Sequence, residues 1–278
     1  MGSGVISRGQ STRAAFLVAA GVAAIAAILA PLALDAQGAT GTIVGHVRLT
    51  GPAPANTIIR MGGDPRCGRA AGGRRVTQDV VLKSADGGLA SVFVSLQGSF
   101  KATPSSQPVT IDQQGCIFVP RVVGAQVGQT LQISNSDPTG HNVHSLSEKG
   151  NAFNVSQPKQ GMVTRFPLKS DELVMRIRCD IHSWMVSYVA IVPHPYFSVS
   201  GMDGAFTIQR VPAGRHTIQT WHEAYGRLTK TVDVKPGQTV TVDLAYTGKE
   251  KPAAAAMQEL TLPADVHAAR FQLAIATR

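Results

Sequence analysis

Hydrophobic and polar residues alternate in short runs along most of the chain. Runs such as GTIVGHVRL, LASVFVSL, TLQISNS, MVSYVAIV and TVTVDLAY are bounded by Gly, Pro, Asn and Asp. A period of two places successive side chains on opposite faces of a strand. Short strands with turn signals between them predict antiparallel sandwiches or barrels. The sequence therefore predicts an all-β protein.

The first 36 residues depart from this pattern. Residues 14–30 carry no charge, Arg8 and Arg13 precede them, and Pro31 follows. A basic start, an apolar run and a small residue at Ala36 are typical of an export signal. The run is long for a cleaved signal and short for a span of roughly 20 residues, so cleavage after Ala36 and a retained inner-membrane anchor both fit. Either one predicts a periplasmic or extracellular protein, with membrane attachment only if the anchor is retained.

The chain has a net charge of +9. Removing residues 1–36 takes away two arginines and one aspartate, which leaves +8. The positive residues are densest between positions 60 and 75. Nucleic acid is not expected as a partner of an exported chain whose basic segment lacks interleaved aromatic residues. The basic segment is therefore interpreted either as a solvated face or as a surface that docks to an acidic protein or an anionic membrane.

Export also decides how the three cysteines are interpreted. Cys67 in DPRCGRA and Cys116 in DQQGCIF both lie among turn-forming residues, and we predict that they form a disulfide. Cys179 is then the odd thiol. In an oxidising compartment such a thiol is protected only when it is buried or bound to a metal.

Cys179 lies in the stretch RIRCDIHSWMVSYVAIV, followed by His182 and Met185. A thiolate, an imidazole and a thioether form a soft ligand set that suits copper better than zinc. The stretch NSDPTGHNVHSL offers a second imidazole from His141 or His144. Residues three apart on a strand face opposite ways, so we expect only one of these two histidines at the ion. The alternative is a chance Cys-x-x-His pair beside a core methionine.

Residues 107–192 resemble a cupredoxin, the plastocyanin-like blue-copper fold. The resemblance rests on VGQTLQISNSD, a His-Asn-Val triplet and Cys-x-x-His-x-x-Met in that order. It implies a Greek-key β-sandwich that holds copper through His141, Cys179, His182 and an axial Met185. It also implies that Asn142 hydrogen-bonds across the ligand loops. Plastocyanins have a longer spacing between the loop histidine and the methionine, so either Met185 or His144 is left to complete the shell.

A second resemblance covers residues 196–246. The stretch DGAFTIQRVPAGRHTIQTWHEAYG is similar to the carboxypeptidase regulatory-like, transthyretin-like β-sandwich. This implies a scaffold or a module that binds partners or sugars. GTIVGHVRLTGPAP looks like an opening strand of the same kind, so the copper domain is either inserted into this sandwich or uses that strand as its own edge. The predicted divisions are an export segment (1–36), a copper domain with an N-terminal strand extension (41–195), the second sandwich (196–246), and a linker with an unassigned tail (247–278).

The remaining residues do not indicate an enzyme. His222 and Glu223 are adjacent on a predicted strand and therefore face opposite ways. Neither a Ser-His-Asp set nor a pair of catalytic carboxylates stands out. The sequence predicts an exported type 1 copper protein that carries single electrons to or from an acidic redox partner such as a cytochrome. A periplasmic copper-storage or copper-delivery protein is the first alternative, and a non-redox β-sandwich module that binds polysaccharide or protein is the second.

Overall fold

The computed structural model describes residues 1, 40–61, 64–72 and 76–250. Within these ranges the chain is almost entirely β-structure, as predicted, with one short helix. The predicted export segment, apart from Met1, and residues 251–278 of the tail lie outside the described residues. Among the helices described, none has the length and apolar character needed to cross a membrane.

The elements follow one another in chain order. They are β1 (Thr40–Leu49), β2 (Thr57–Ile58), α1 (Pro65–Ala70), β3 (Thr77–Gln78), β4 (Phe93–Leu96), β5 (Val109–Gln113), β6 (Phe118–Val119), β7 (Val122–Gln126), β8 (Thr130–Asn135), β9 (His141–Leu146), β10 (Asn154–Gln157), β11 (Val163–Pro167), β12 (Glu172–Arg178), β13 (Val186–Val192), β14 (Phe197–Val199), β15 (Ala205–Pro212), β16 (Gly214–His222), β17 (Gly226–Val234), β18 (Thr239–Thr241) and β19 (Leu244–Tyr246).

The first sandwich contains the predicted copper motif. One sheet has the strand order β10-β9-β12-β13-β7, and the other has the order β11-β8-β5-β6. The alternation in the sequence fixes which side chains meet between them. In β8, for example, Leu131 and Ile133 are fully buried, while the residues that alternate with them are partly exposed. Leu131 and Ile133 share one core with Met175 and Ile177 of β12.

The second sandwich is formed by strands from both ends of the described chain. One sheet has the order β15-β1-β18, with β19 also paired to β1, and the other has the order β14-β4-β16-β17. The buried face of β1, with Ile43 and Val47, packs in the same core as Phe206 and Ile208 of β15. β1 therefore belongs to the sheets of the second sandwich. The first sandwich is inserted between β4 and β14.

The two sandwiches are in direct contact through β4. Phe93 packs with Val122 of β7 in a cluster between the sandwiches, whereas Val94 lies in the core of the second sandwich. Both faces of β4 are thus covered, which explains why LASVFVSL is an almost continuous apolar run. Gly124 permits this contact, because a Cβ atom there would lie 2.6 Å from the ring of Phe197.

Polar contacts also join the two sandwiches. Arg121 Nη2 donates to Glu223 Oε2 at 2.8 Å, and Arg121 Nε donates to Glu223 Oε1. His194 is buried and contacts the carbonyl oxygen of Leu96 at 3.1 Å. His194 therefore packs at the boundary between the two sandwiches. Since Glu223 is paired with Arg121, His222 and Glu223 do not form a shared site.

A segment between β1 and β4 crosses from the second sandwich to the first. We call residues 57–78 the cap segment; of these, 62, 63 and 73–75 lie outside the described residues. It contains the β2–β3 ribbon and α1, and its Met61, Cys67 and Ala71 pack in the core of the first sandwich. Asp64 begins α1, since its side chain accepts a hydrogen bond from the Arg66 N–H and Pro65 follows it. The cap segment therefore contributes residues to one end of the first sandwich.

Candidate metal centre

Two neighbouring strands bring the predicted ligands together. His141 begins β9, and Cys179 directly follows β12, which pairs with β9 in antiparallel register. His182 lies in the loop that leads from Cys179 to β13. All three side chains are buried, with exposed fractions of 2% or less.

The donor atoms of these three residues converge. His141 Nδ1 lies 3.0 Å from His182 Nδ1, and His182 Nδ1 lies 3.8 Å from Cys179 Sγ. The three donor atoms all lie within 4.8 Å of one another. Ligands bonded to one ion at about 2.0–2.3 Å are separated from each other by about 3–4 Å. The spacing of His141, Cys179 and His182 therefore fits a single metal ion between them.

Each imidazole is held from its other side by a carboxylate. His141 Nε2 lies 3.0 Å from Asp137 Oδ2, and His182 Nε2 lies 3.1 Å from Asp64 Oδ2. Metal-binding histidines usually donate their second N–H to such a partner, which fixes the ring and raises its basicity. Asp137 belongs to the first sandwich, whereas Asp64 comes from the cap segment. Both histidines are therefore oriented with Nδ1 toward the shared site.

Hydrogen bonds around the site shift the pKa values of Cys179 and His141. Burial by itself raises the pKa of Cys179, but hydrogen bonds from His141 and from the Asn142 N–H outweigh burial and lower this pKa. The pKa of His141 is raised to about 9, since its hydrogen bonds with Asp137 and Cys179 outweigh the lowering effect of burial. In the metal-free protein the shift of His141 favours an imidazolium, and the shift of Cys179 makes its thiol easier to ionise. Metal binding must therefore displace a proton from His141.

The ligand loop is closed by its own backbone. The Met185 N–H donates to the His182 carbonyl at 2.9 Å, and the Cys179 N–H donates to the Met185 carbonyl at 3.2 Å. Met185 is fully buried in the same core cluster as Cys179. The ring of Trp184 packs 5.2 Å from that of His182, and its Nε1–H donates to the Cys116 carbonyl at 2.9 Å. Trp184 thus covers one side of the site.

His144, the alternative ligand on β9, lies outside this centre. His144 is on the opposite face of β9 from His141, and its Nδ1 lies 3.0 Å from Asp180 Oδ2. The hydrogen bond from His144 is the main reason why the pKa of Asp180 falls to about 2. Asn142 Nδ2 also donates to Asp180, and Asn142 Oδ1 accepts from the Asp180 N–H. Asn142 therefore links β9 to the ligand loop, as the cupredoxin resemblance implied.

The disulfide prediction is confirmed. Cys67 of α1 is bonded to Cys116, and Cys179 is a free, buried thiol. Cys116 lies in a turn, as expected, whereas Cys67 lies in the short helix rather than a turn. The bond ties the cap segment to the first sandwich beside the candidate metal centre, where Cys67 Sγ lies 3.5 Å from His182 Nε2.

Asp64 and Asp137 are the residues of the site that the sequence analysis did not identify. Asp137 lies four residues before His141 in NSDPTGH, and its carboxylate also accepts hydrogen bonds from the N–H groups of Gly115 and Cys116. Asp64 precedes Pro65, a pair typical of a helix start. The Asp-Pro signal predicts the cap of α1, but it does not indicate a contact with His182, 118 residues away in the chain.

The donor set fits copper. One thiolate and two imidazoles form the His₂Cys set of blue-copper sites, and Met185 supplies a thioether in the same buried region. Zinc sites use thiolate, imidazole and carboxylate ligands, and a thioether is not among them. The residues present therefore match a candidate copper site.

Comparisons with known proteins gave structural matches only. No protein-family model and no curated protein matches the chain. A novel purple cupredoxin from Nitrosopumilus maritimus is 22% identical, with 30% of this chain and 97% of that chain aligned at a TM-score of 0.26. An amicyanin mutant solved with Cu(I) is 14% identical over 35% of this chain and 97% of that chain, at a TM-score of 0.28.

A Cu-containing nitrite reductase from Thermus scotoductus SA-01 is also similar in part. It is 22% identical, and the alignment covers 35% of this chain and 25% of the reductase, at a TM-score of 0.27. The structural neighbours thus include cupredoxins and a copper enzyme. Such partial alignments do not assign a function to this chain.

Proposed function

We propose that this protein is an exported type 1 copper protein that carries single electrons. The observation that carries the proposal is the convergence of His141 Nδ1, His182 Nδ1 and Cys179 Sγ in a buried site. Copper bound there would supply one-electron chemistry by alternating between Cu(I) and Cu(II). His141, Cys179 and His182 would hold it, with Met185 as the proposed axial ligand.

The surrounding residues would keep the donors in one place during electron transfer. Asp137 and Asp64 fix the two imidazoles, and the Asn142 N–H contacts the Cys179 sulfur at 3.5 Å. The rigid pairing of β9 with β12 limits movement of the ligands between the two oxidation states. The low exposure of the donors excludes bulk water, which favours retention of the ion over its exchange.

The proposed location and partner rest on the sequence and on charge. The Cys67–Cys116 disulfide is the kind of bond that persists in oxidising compartments, which supports export to the periplasm or beyond. The net charge of +9 would steer an acidic redox protein, such as a cytochrome, toward the molecule. We propose no catalytic activity, because the candidate site consists of buried donors rather than a substrate cleft.

The first experiment adds Cu(II) to the purified protein and to two variants, Cys179→Ser and His144→Ala. We expect the wild type and His144→Ala to show an intense thiolate-to-copper visible band and small hyperfine splitting in electron paramagnetic resonance. Cys179→Ser should lose both signals. A wild-type protein without the visible band would refute the blue-copper proposal.

A second measurement separates an electron carrier from a copper-delivery protein. The copper-loaded protein is reduced and reoxidised repeatedly in the presence of a Cu(I) chelator. A carrier keeps its copper and its visible band through these cycles. Transfer of copper to the chelator in the first reduced state would instead favour copper storage or delivery.

A further inference from the structure

The disulfide lies among additional metal-ligating groups. Around Cys67, the Asp64 carboxylate and His182 Nε2 converge with the sulfur, and the three donor atoms lie within 4.8 Å of one another. Cys116, Asp137 and His141 form a second such group around the other sulfur. Thus two carboxylates and two imidazoles flank the sulfur pair, facing away from the proposed copper site.

While the disulfide is intact, its sulfurs are poor ligands because the thiolate is the form that binds metals. Reduction would create two thiols, and the sulfur of Cys67 lies 3.5 Å from His182 Nε2. Both thiols would lose their protons when they bind a metal. Two thiolates and an imidazole form a soft set that suits Cu(I). The Asp64 oxygen, 3.1 Å from His182 Nε2, is placed to accept the proton that this nitrogen releases.

We propose that reduction of Cys67–Cys116 opens a second metal site, specific for a soft ion such as Cu(I), with both cysteines and His182 Nε2 as ligands. The site goes beyond the proposed electron-carrier function. The number of metal ions that the protein binds would then depend on the redox state of its disulfide. His182 would bridge the two ions, one at each ring nitrogen.

The reaction is balanced by a dithiol or phosphine as reductant. The S–S bond breaks, two electrons come from the reductant, which is oxidised, and each sulfur takes up one proton. When Cu(I) binds, both thiols and His182 Nε2 release their protons to solvent, with Asp64 as the first acceptor for the imidazole proton. The copper ion remains Cu(I) throughout.

A cavity adjoins the chain segments that carry the two cysteines. It has a volume of about 260 Å³, and its lining includes Gly115, Ile117 and Ala71. Gly115 and Ile117 are the chain neighbours of Cys116, and the Ala71 N–H donates to the Cys67 carbonyl. Both cysteines are fully buried, so movement of these neighbours would be needed for a small reductant or ion in this cavity to reach the disulfide.

The test counts Cu(I) ions bound by the full-length protein before and after reduction. The protein is reduced anaerobically with a phosphine, the phosphine is removed, and the thiols are counted to confirm three per chain. Cu(I) is then titrated against a coloured chelator. We expect one ion in the oxidised protein and two in the reduced protein, whereas Cys67→Ser/Cys116→Ser should bind one ion under both conditions.

The Cys179→Ser variant isolates the new site. It should bind no ion when oxidised and one when reduced, and its combination with Cys67→Ser/Cys116→Ser should bind none. An equal number of ions before and after reduction would overturn the proposal, as would a second ion retained without Cys67 and Cys116. Loss of the native circular dichroism spectrum on reduction would overturn it too. A wild-type protein that binds copper only when reduced would refute the proposed function but not this site.

Discussion

His141 and His222 show how differently the two sandwiches treat a buried imidazole. Both side chains are fully buried. In the first sandwich, Asp137 and Cys179 outweigh the effect of burial and raise the pKa of His141 to about 9. In the second, burial and the positive charge of Arg121 lower the pKa of His222 to about 4. The same residue is favoured as a cation in one sandwich and as a neutral ring in the other.

The difference lies in the partners rather than in the depth of burial. His141 contacts a carboxylate and faces a thiol and a second imidazole. His222 stacks on Tyr225, with ring centroids 4.9 Å apart, and among the described residues its Nε2 has no hydrogen-bond partner. A buried polar group without a partner reduces stability, whereas a buried group with charged partners can hold a site in place. Chemical function is therefore expected at the end of the first sandwich.

Replacement of Asp137 with asparagine should have the largest effect of the changes considered for the two sandwiches, because it removes the charged partner of His141. The Asn side chain cannot supply the negative charge that His141 Nε2 contacts, and it loses one of the two oxygens that accept from the Gly115 and Cys116 N–H groups. We expect copper affinity to fall about 10–100-fold. The free energy of unfolding of the metal-free protein should fall by about 2–3 kcal/mol. Competition titrations with Cu(II) and urea denaturation measure the two effects.

Asp112→Asn is the matched control for this variant. Asp112 is a carboxylate of the same sandwich, but its side chain accepts a hydrogen bond from Ser134 and does not contact a histidine of the site. It should keep wild-type copper affinity. If Asp137→Asn and Asp112→Asn bind copper equally well, Asp137 does not support the metal centre.

The low pKa of His222 predicts an effect of intermediate size on the free energy of unfolding, and this effect depends on pH. Its folded-state value, about 4, lies below the unfolded value of 6.5, so the unfolded chain takes up the proton first as the pH falls. The stability due to neutral His222 is complete above pH 6.5 and is lost as the pH falls from 6.5 toward 4. Between pH 7.5 and 5, we expect the wild type to lose about 1–2 kcal/mol more than His222→Phe.

Urea denaturation at both pH values tests this expectation. The comparison between wild type and His222→Phe cancels the contributions of the other titrating groups. His46→Phe, on the partly exposed face of β1, serves as a control for replacing a histidine with an aromatic ring. An equal loss in wild type and His222→Phe would show that His222 does not control the acid sensitivity of the second sandwich.

Replacement of His144 with alanine should have the smallest effect. His144 pairs with Asp180 on the outer face of β9, and exposed ion pairs contribute about 0–1 kcal/mol. We expect unchanged copper affinity and a change in the free energy of unfolding within that range. A shift of the visible band in His144→Ala would contradict the separation of His144 from the metal centre, and His141→Ala provides the contrasting loss of the band.

The local parts of the fold and the site could be predicted from the sequence. Alternation in runs such as TLQISNS identified strands, because the side-chain period of two is a local property of the chain. The same geometry separated His141 from His144 on β9. The burial of the odd cysteine was also expected, since the predicted export and the number of cysteines left Cys179 as a thiol that needed protection.

The sheet that receives β1 could not be predicted in this way. Its pattern suits the edge of either sandwich, and the sequence left both arrangements open. The choice depends on which distant surface buries Ile43, Val47 and Leu49 best. Phe206, Ile208 and the other residues of the second core provide that surface.

By itself, the sequence determined the all-β class, the alternating faces and the soft donors that lie close together in Cys-x-x-His-x-x-Met. Only the tertiary structure decided that Asp64 and Asp137 hold the two histidines and that the disulfide lies beside His182. These contacts join the cap segment, the turn before β9 and the ligand loop, which are far apart in the chain. Local periodicity specifies which way a side chain points from its own strand, but the packing of distant segments decides what it meets there.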